Sequence, residues 1–162
     1  MIKKRDNLYG MNVSKDEIQK QKKVFLVEGY MDVISCHKCG LQNVVAPCGT
    51  AITSGQIKLL TRYAQEIIFL LDGDDAGIKG AARGIFETAN IESVKCSVLV
   101  LPNDMDPDDY FKTSDLSVLI GRLISESSFS ISLSKQFFMF SNWALMLSKF
   151  DFSAYLLYKP LI

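Results

Sequence analysis

Four short apolar runs stand out along the chain: VFLV at 24–27, NVVA at 43–46, IIFLL at 67–71 and CSVLVL at 96–101. They are too short and too rich in β-branched residues for helices, so each predicts a strand. Between them, MDVISCHKCG, TSGQIKLLTRYAQE and AGIKGAARGIFETAN carry apolar residues at helical spacing. Thr53 or Ser54 suits the N-cap of the second of these helices, and Gly40 suits the stop of the first. Strand and helix alternate as in a parallel sheet built through right-handed crossovers and covered on both faces. That cover explains why the strands are apolar at consecutive positions instead of alternating ones. The expected fold is α/β, with a parallel sheet of about four strands and helices on both faces. Ligands of such sheets bind beyond the carboxyl ends of the strands, where loops and helix N-termini converge.

The flanks read differently. Residues 1–23 form a polar lead-in with LYG at 8–10 as its apolar anchor, and SKDEIQKQKK predicts a solvated helix running into the first strand. After Lys112 the chain turns rich in Ser, Leu and Phe. LSVLIGRLI and FFMFSNWALML predict helices, so 113–162 is expected to be a C-terminal helical appendage to a domain spanning 24–112. The apolar stretch near the C-terminus is broken by Lys149 and Asp151. It falls short of the roughly 20 residues a spanning helix needs, and is read as packing surface with no membrane partner.

Composition narrows the function classes. A chain of 162 residues that is 48% hydrophobic can bury a real core. Its 18 Lys and Arg balance 18 Asp and Glu, so no global positive field holds a nucleic-acid backbone, and any such binding must be local or borrowed. The first 23 residues lack a charged-then-apolar leader, which argues against secretion and for a cytoplasmic address. Of the four cysteines, Cys36 and Cys39 form a CxxC around the sole histidine, His37. No second pair completes a structural zinc site, and the pair falls late in its helix, where a redox motif is not expected. Buried or idle thiols, and no zinc, are the expectation.

The strand ends carry the chemistry. Glu28 follows the first strand, Asp72 and Asp74 follow the third in LLDGDDAG, and Asp106 and Asp108 follow the fourth in LPNDMDPDDY. Two unit charges about 4 Å apart repel by roughly 4 kcal/mol at an effective dielectric of about 20, so carboxylates gathered on one sheet edge call for cations. Oxygen donors without His or Cys favour a hard ion, and an open set with room for water and phosphate suits Mg²⁺. A calcium loop starting at Asp72 places Gly77 correctly but puts Arg83 where a bidentate Glu is required. A solvated turn remains the alternative for DGDDAG, since Asp and Gly are good turn formers. Its place between a buried strand and a helix bearing Lys79 and Arg83 four residues apart favours metal-bound phosphate. Asp32 in EGYMD is readable as an early helix residue answering the dipole, and DPD at 106–108 as a proline turn that extends Asp106.

Taken together, VFLVEGYMD, APCGTAIT, DGDDAGIKGAAR and LPNDMDPDDYF resemble the catalytic Toprim domain of bacterial DnaG-type DNA primases. A glutamate followed by DxD is shared by all Toprim proteins, including topoisomerases, recombination mediators and small nucleases. The full set EGYMD, GT, DGDxAG and DPD is close to diagnostic for primases. The resemblance runs from Val24 to Lys112 and reaches upstream through NLYGMN. It implies a Toprim, Rossmann-like fold, with Glu28, Asp32, Asp72, Asp74, Asp106 and Asp108 as the acidic centre. Glu28, Asp72 and Asp74 would be catalytic, and Glu28, Asp72, Asp74, Asp106 and Asp108 would bind Mg²⁺, with Mn²⁺ a substitute. Gly49 and Thr50 match the GT element, and Arg83 ends the DGDxAG helix. Asp104 departs from the family, where many primases have glycine before DPD.

The implied activity is synthesis of short RNA primers from nucleoside triphosphates on a single-stranded DNA template. The zinc-binding, template-gripping and helicase-binding segments of the family do not occur in this sequence. A truncated copy is therefore expected, reaching a replicative helicase only through segments it lacks. A Toprim nuclease and an inactive metal-binding remnant are the competing readings.

Overall fold

The computed structural model describes residues 7–49, 52–72, 88, 94–102 and 105–125, with side chains described up to Gly121. The backbone divides into two compact units, Met1–Ser132 and Leu133–Ile162, and every described residue belongs to the first. The described strands are β1 (Leu8–Tyr9), β2 (Lys23–Leu26), β3 (Val44–Pro47), β4 (Glu66–Leu71) and β5 (Lys95–Val100). The described helices are α1 (Met11–Gln21), α2 (Tyr30–Lys38), α3 (Ser54–Leu60), α4 (Pro107–Thr113) and α5 (Leu116–Ser125).

The strands form one sheet in the order β1-β3-β2-β4-β5. β2 pairs in parallel with β3 and β4, and β4 with β5, whereas β1 runs antiparallel to β3 with Leu8 opposite Pro47 and Tyr9 opposite Ala46. The expected all-parallel sheet of four strands is thus corrected to a mixed sheet of five. A two-residue strand is too short to show a period, and only its docking on β3 makes it one. Gly10, at φ 81°, then turns the chain into α1. That helix begins at Met11, ahead of the expected segment, and is not wholly solvated, because Ser14 and Ile18 are fully buried.

The α/β pattern follows from burial on both faces of the sheet. All six residues of β4 are buried, which no one-sided sheet permits. Phe25, Val44, Ala46, Ile68, Leu70 and Leu99 share a core with Val33 and Cys36 of α2, Tyr110 of α4 and Leu119 of α5. The alternate strand positions Val24, Leu26, Val45, Ile67 and Phe69 are buried as well, as are Ile18 of α1 and Ile57 and Leu60 of α3.

Local signals set the helix ends. Thr53 caps α3 by accepting the Gln56 N–H at 3.2 Å while the Gln56 side chain accepts the Thr53 N–H at 3.0 Å, a reciprocal capping box. Gly40, at φ 92°, stands just past the end of α2, where the stop was expected. α5 covers the predicted LSVLIGRLI helix. The predicted helices AGIKGAARGIFETAN and FFMFSNWALML lie outside the described residues, apart from Thr88, which is helical. Among the described residues, no helix is long and apolar enough to cross a membrane.

Candidate active site

Sheet topology singles out one crevice. From β2 the chain crosses to β3 on one side, then passes over β2 to reach β4 on the other. Where successive crossovers leave in opposite directions, the loops beyond the carboxyl ends of the two central strands diverge and leave room for a ligand. Those two strands are β2 and β4, hydrogen-bonded in parallel from Lys23↔Glu66 to Leu26↔Phe69. Glu28 follows β2 and Asp72 follows β4 directly. Glu28 is exposed and Asp72 half-buried. The two residues singled out at the strand ends therefore flank the switch point.

A second set of carboxylates gathers where α2 meets α4. Asp32, in the first turn of α2, is buried and accepts the Gly29 N–H at 2.8 Å. A Cβ on Gly29 would fall 2.9 Å from Asp32 Oδ2, so the absence of a side chain at 29 is what lets the carboxylate close over the helix end. Burial raises the Asp32 carboxyl above the ordinary aspartate range. The Gly29 hydrogen bond opposes this, and the negative charges of Asp106 and Asp108 add to the upward push. Asp32 thus answers the helix end, as one reading had it, and at the same time feels the other acids.

Asp106 and Asp108 are both partly committed. Asp106 is extended (φ −81°, ψ 168°), as its place before Pro107 predicts, and its Oδ1 accepts the Asp109 N–H at 2.7 Å to cap α4. Asp108 Oδ1 accepts from the Ser35 hydroxyl at 2.5 Å, and Oδ2 lies 3.0 Å from the Lys112 ammonium. The Ser35 hydrogen bond and then Lys112 hold the Asp108 carboxyl below its ordinary range. Lys112, shared between Asp109 and Asp108, is held above its own. Ser35 and Lys112 were not singled out from the sequence. Ser35 lies 73 positions from its partner, and only the packing of α2 on α4 brings them together.

Gly49, in the turn after β3, is exposed, and a Cβ there would meet nothing within 4 Å. Packing does not explain a glycine at this position. Thr50, Asp74, Lys79 and Arg83 lie outside the described residues. Of the thiols, Cys36 sits in the core and Cys96 is buried, and burial pushes both up to about 12. Cys39 is exposed and Cys48 half-buried.

The donor set suits a hard cation. It consists of carboxylate oxygens, and the Asp32 carboxyl, raised first by burial, is pushed further up by the charges of Asp106 and Asp108. Among the described residues, no three acidic, cysteine or histidine side chains are gathered closely enough to hold an ion.

Comparison with known proteins extends this picture. A family model described as Toprim-like matches residues 25–111. The DNA primase of Clostridium acetobutylicum is 40% identical over 113 residues, covering 69% of this chain and 18% of that protein. A crystal structure of the zinc-binding and RNA polymerase domains of the Aquifex aeolicus primase superposes with a TM-score of 0.72 at 35% identity. That match covers 76% of this chain and 30% of that one. A structure of a DnaG primase catalytic domain bound to single-stranded DNA gives a TM-score of 0.71 at 27% identity, covering 76% of this chain and 41% of that one. The chain spans only 18% to 19% of the length of the first curated relatives it matches. The mixed sheet, the acidic strand ends and these similarities agree: the chain belongs to the Toprim-like family, in the branch typified by the catalytic core of DnaG-type DNA primases.

Proposed function

We propose that the chain carries the catalytic Toprim domain of a primase and supports Mg²⁺-dependent synthesis of short RNA primers on single-stranded DNA. In this reading residues 24–112 form the catalytic domain, 1–23 its lead-in and 113–162 a helical extension, working in the cytoplasm. The observation that carries it is the position of Glu28 and Asp72 on either side of the topological switch point. The similarity to a primase catalytic domain bound to single-stranded DNA supports nucleic acid as the partner.

Glu28, Asp72, Asp74, Asp106 and Asp108 would hold the ion. Bound Mg²⁺ would supply neutralisation of phosphate charge and a lowered pKa for the attacking hydroxyl. Glu28, exposed at the strand end, would bridge metal or take the proton from the 3′-hydroxyl as that oxygen attacks the α-phosphate of a nucleoside triphosphate and pyrophosphate leaves. Asp32 keeps the start of α2 closed beneath it. Lys79 and Arg83 would steady the phosphates, and Gly49 and Thr50 would help bind the nucleotide. Contact with a helicase would come from other segments of a parent enzyme.

The test is template-directed extension by a parent primase carrying this segment, with Mg²⁺ or Mn²⁺. Glu28→Gln and Asp72→Asn are each expected to lower primer synthesis by about 100-fold or more, the scale of losing a general base or an essential charge. Wild-type rates in both variants would refute the assignment. Incubating the chain with Mn²⁺ and labelled single-stranded DNA separates a nuclease, which would cleave it. A remnant would bind metal calorimetrically without turnover in either assay.

A further inference from the structure

Three segments distant in sequence bring two aromatic rings and a thiol to one corner of the sheet. Tyr9 ends β1, Tyr30 opens α2, and Cys48 follows β3. The Tyr9 and Tyr30 rings are stacked, with centroids 4.5 Å apart and planes at 24°. They are nevertheless 36% and 45% exposed, and neighbouring Met31 is 64% exposed. Stacked aromatics commonly serve to fill a core. Here each ring covers one face of the other and the pair still stands in water, which leaves aromatic surface for a further planar group.

The position of the pair indicates which group. Tyr30 is two residues beyond Glu28, and Tyr9 pairs with Ala46, one residue before the carboxyl end of β3. The turn after β3 runs through Cys48 to Gly49, beside which space is open. Among the described residues, the ring that carries a cation is Tyr63, with Lys15 Nζ 5.2 Å from its centroid, and not either member of this pair. A neutral aromatic platform beside an acidic edge matches a ligand that is planar and apolar at one end and bears phosphate at the other.

We propose that the Tyr9–Tyr30 pair is a stacking platform for a nucleobase, belonging to a nucleotide whose phosphates face Glu28 and Asp72. This rests on the nucleotidyl-transfer reading of that edge. An incoming triphosphate and the end of a single strand share this chemistry.

The experiment uses the 162-residue chain with Mg²⁺ and two probes, the triphosphate of 2-aminopurine riboside and a single-stranded oligodeoxynucleotide bearing one 2-aminopurine. Fluorescence of that base is quenched on stacking. Wild type is expected to bind and quench at least one probe, and the probe that is quenched identifies the source of the base. Tyr30→Leu and, separately, Tyr9→Leu are expected to weaken binding about tenfold, within the range for loss of one stacked base, and to release the quench. Tyr30→Phe is expected to retain both, and circular dichroism melting checks that each variant is folded. Unchanged affinity and quench in both leucine variants, or no quench of either probe by wild type, would overturn the platform. Asp72→Asn separates the two ideas. If it leaves triphosphate affinity intact while Tyr30→Leu lowers it, the metal edge fails and the platform stands; the converse result overturns the platform alone.

Discussion

Gly29 and Asp32 form a unit in which one residue exists for the sake of the other. The Asp32 carboxylate reaches the Gly29 N–H at 2.8 Å only because no Cβ stands in its way. Gly29→Ala is therefore expected to push the carboxylate off the helix end and to destabilise the chain by about 1 kcal/mol, the usual worth of such a hydrogen bond. Urea unfolding measures this, and an unchanged midpoint would contradict it. Glu66 poses the opposite problem, since burial alone would raise its carboxyl. The Ser97 hydroxyl at 2.8 Å and the Lys23 and Lys95 ammoniums, each at 3.1 Å, outweigh burial and hold it below the ordinary glutamate range. A lowered folded-state value means that the unfolded chain binds the proton first. This contribution is present above the ordinary glutamate value and is lost as pH falls through the lowered one. Glu66→Gln should lower stability at neutral pH by about 1 kcal/mol, both lysines being half in solvent, and should flatten the acid limb of stability against pH. An acid limb identical to wild type would show that the cluster contributes nothing.

Elements are joined by a few polar links placed where the hydrophobic pattern has no say. Ser14 of α1 is fully buried, and its hydroxyl donates to the Val44 carbonyl at 2.7 Å. A hydroxyl has one proton to give, so its 3.1 Å contact with His37 Nε2 requires the imidazole to be the donor there. One side chain thus ties α1 to β3 and α2. Ser14→Ala is expected to cost about 1–3 kcal/mol by leaving buried partners unsatisfied, read by thermal unfolding. A loss within error of zero would mean that water replaces the link. At the same scale, Ser35 on α2 and Asp108 on α4 dock the second acidic group beside the first turn of α2. The strand and helix spans of this region were largely legible, because consecutive apolar positions demand cover on both faces. The two-residue β1 was not, because pairing with β3 alone defines it.

On the scale of the described core, charge is segregated along the strand axis. Glu66 pairs with Lys23 and Lys95 at the amino ends of β4, β2 and β5, leaving that end net positive, whereas Glu28 and Asp72 stand at the carboxyl ends of β2 and β4. A ligand cation should therefore stabilise the fold from the acidic end. With Mg²⁺ at roughly 100 times its Kd, linkage predicts a gain of about 2.7 kcal/mol, and Asp72→Asn should abolish most of it. Thermal unfolding with and without Mg²⁺ checks this, and an equal gain in the variant would place the ion elsewhere.

The sequence by itself determined the α/β alternation, the acidic residues at the strand ends and the family. Each is written in local pattern, as apolar runs of strand length, caps such as Thr53 and motifs such as EGYMD. Tertiary structure alone decided the order β1-β3-β2-β4-β5, and with it the placing of Glu28 and Asp72 after the two strands that flank the switch point. It alone also revealed the Ser35–Asp108 contact and the exposed Tyr9–Tyr30 stack. The physical reason is separation along the chain. Periodicity and capping report what a residue does with its near neighbours, whereas these contacts join residues whose spacing in sequence carries no trace of their meeting.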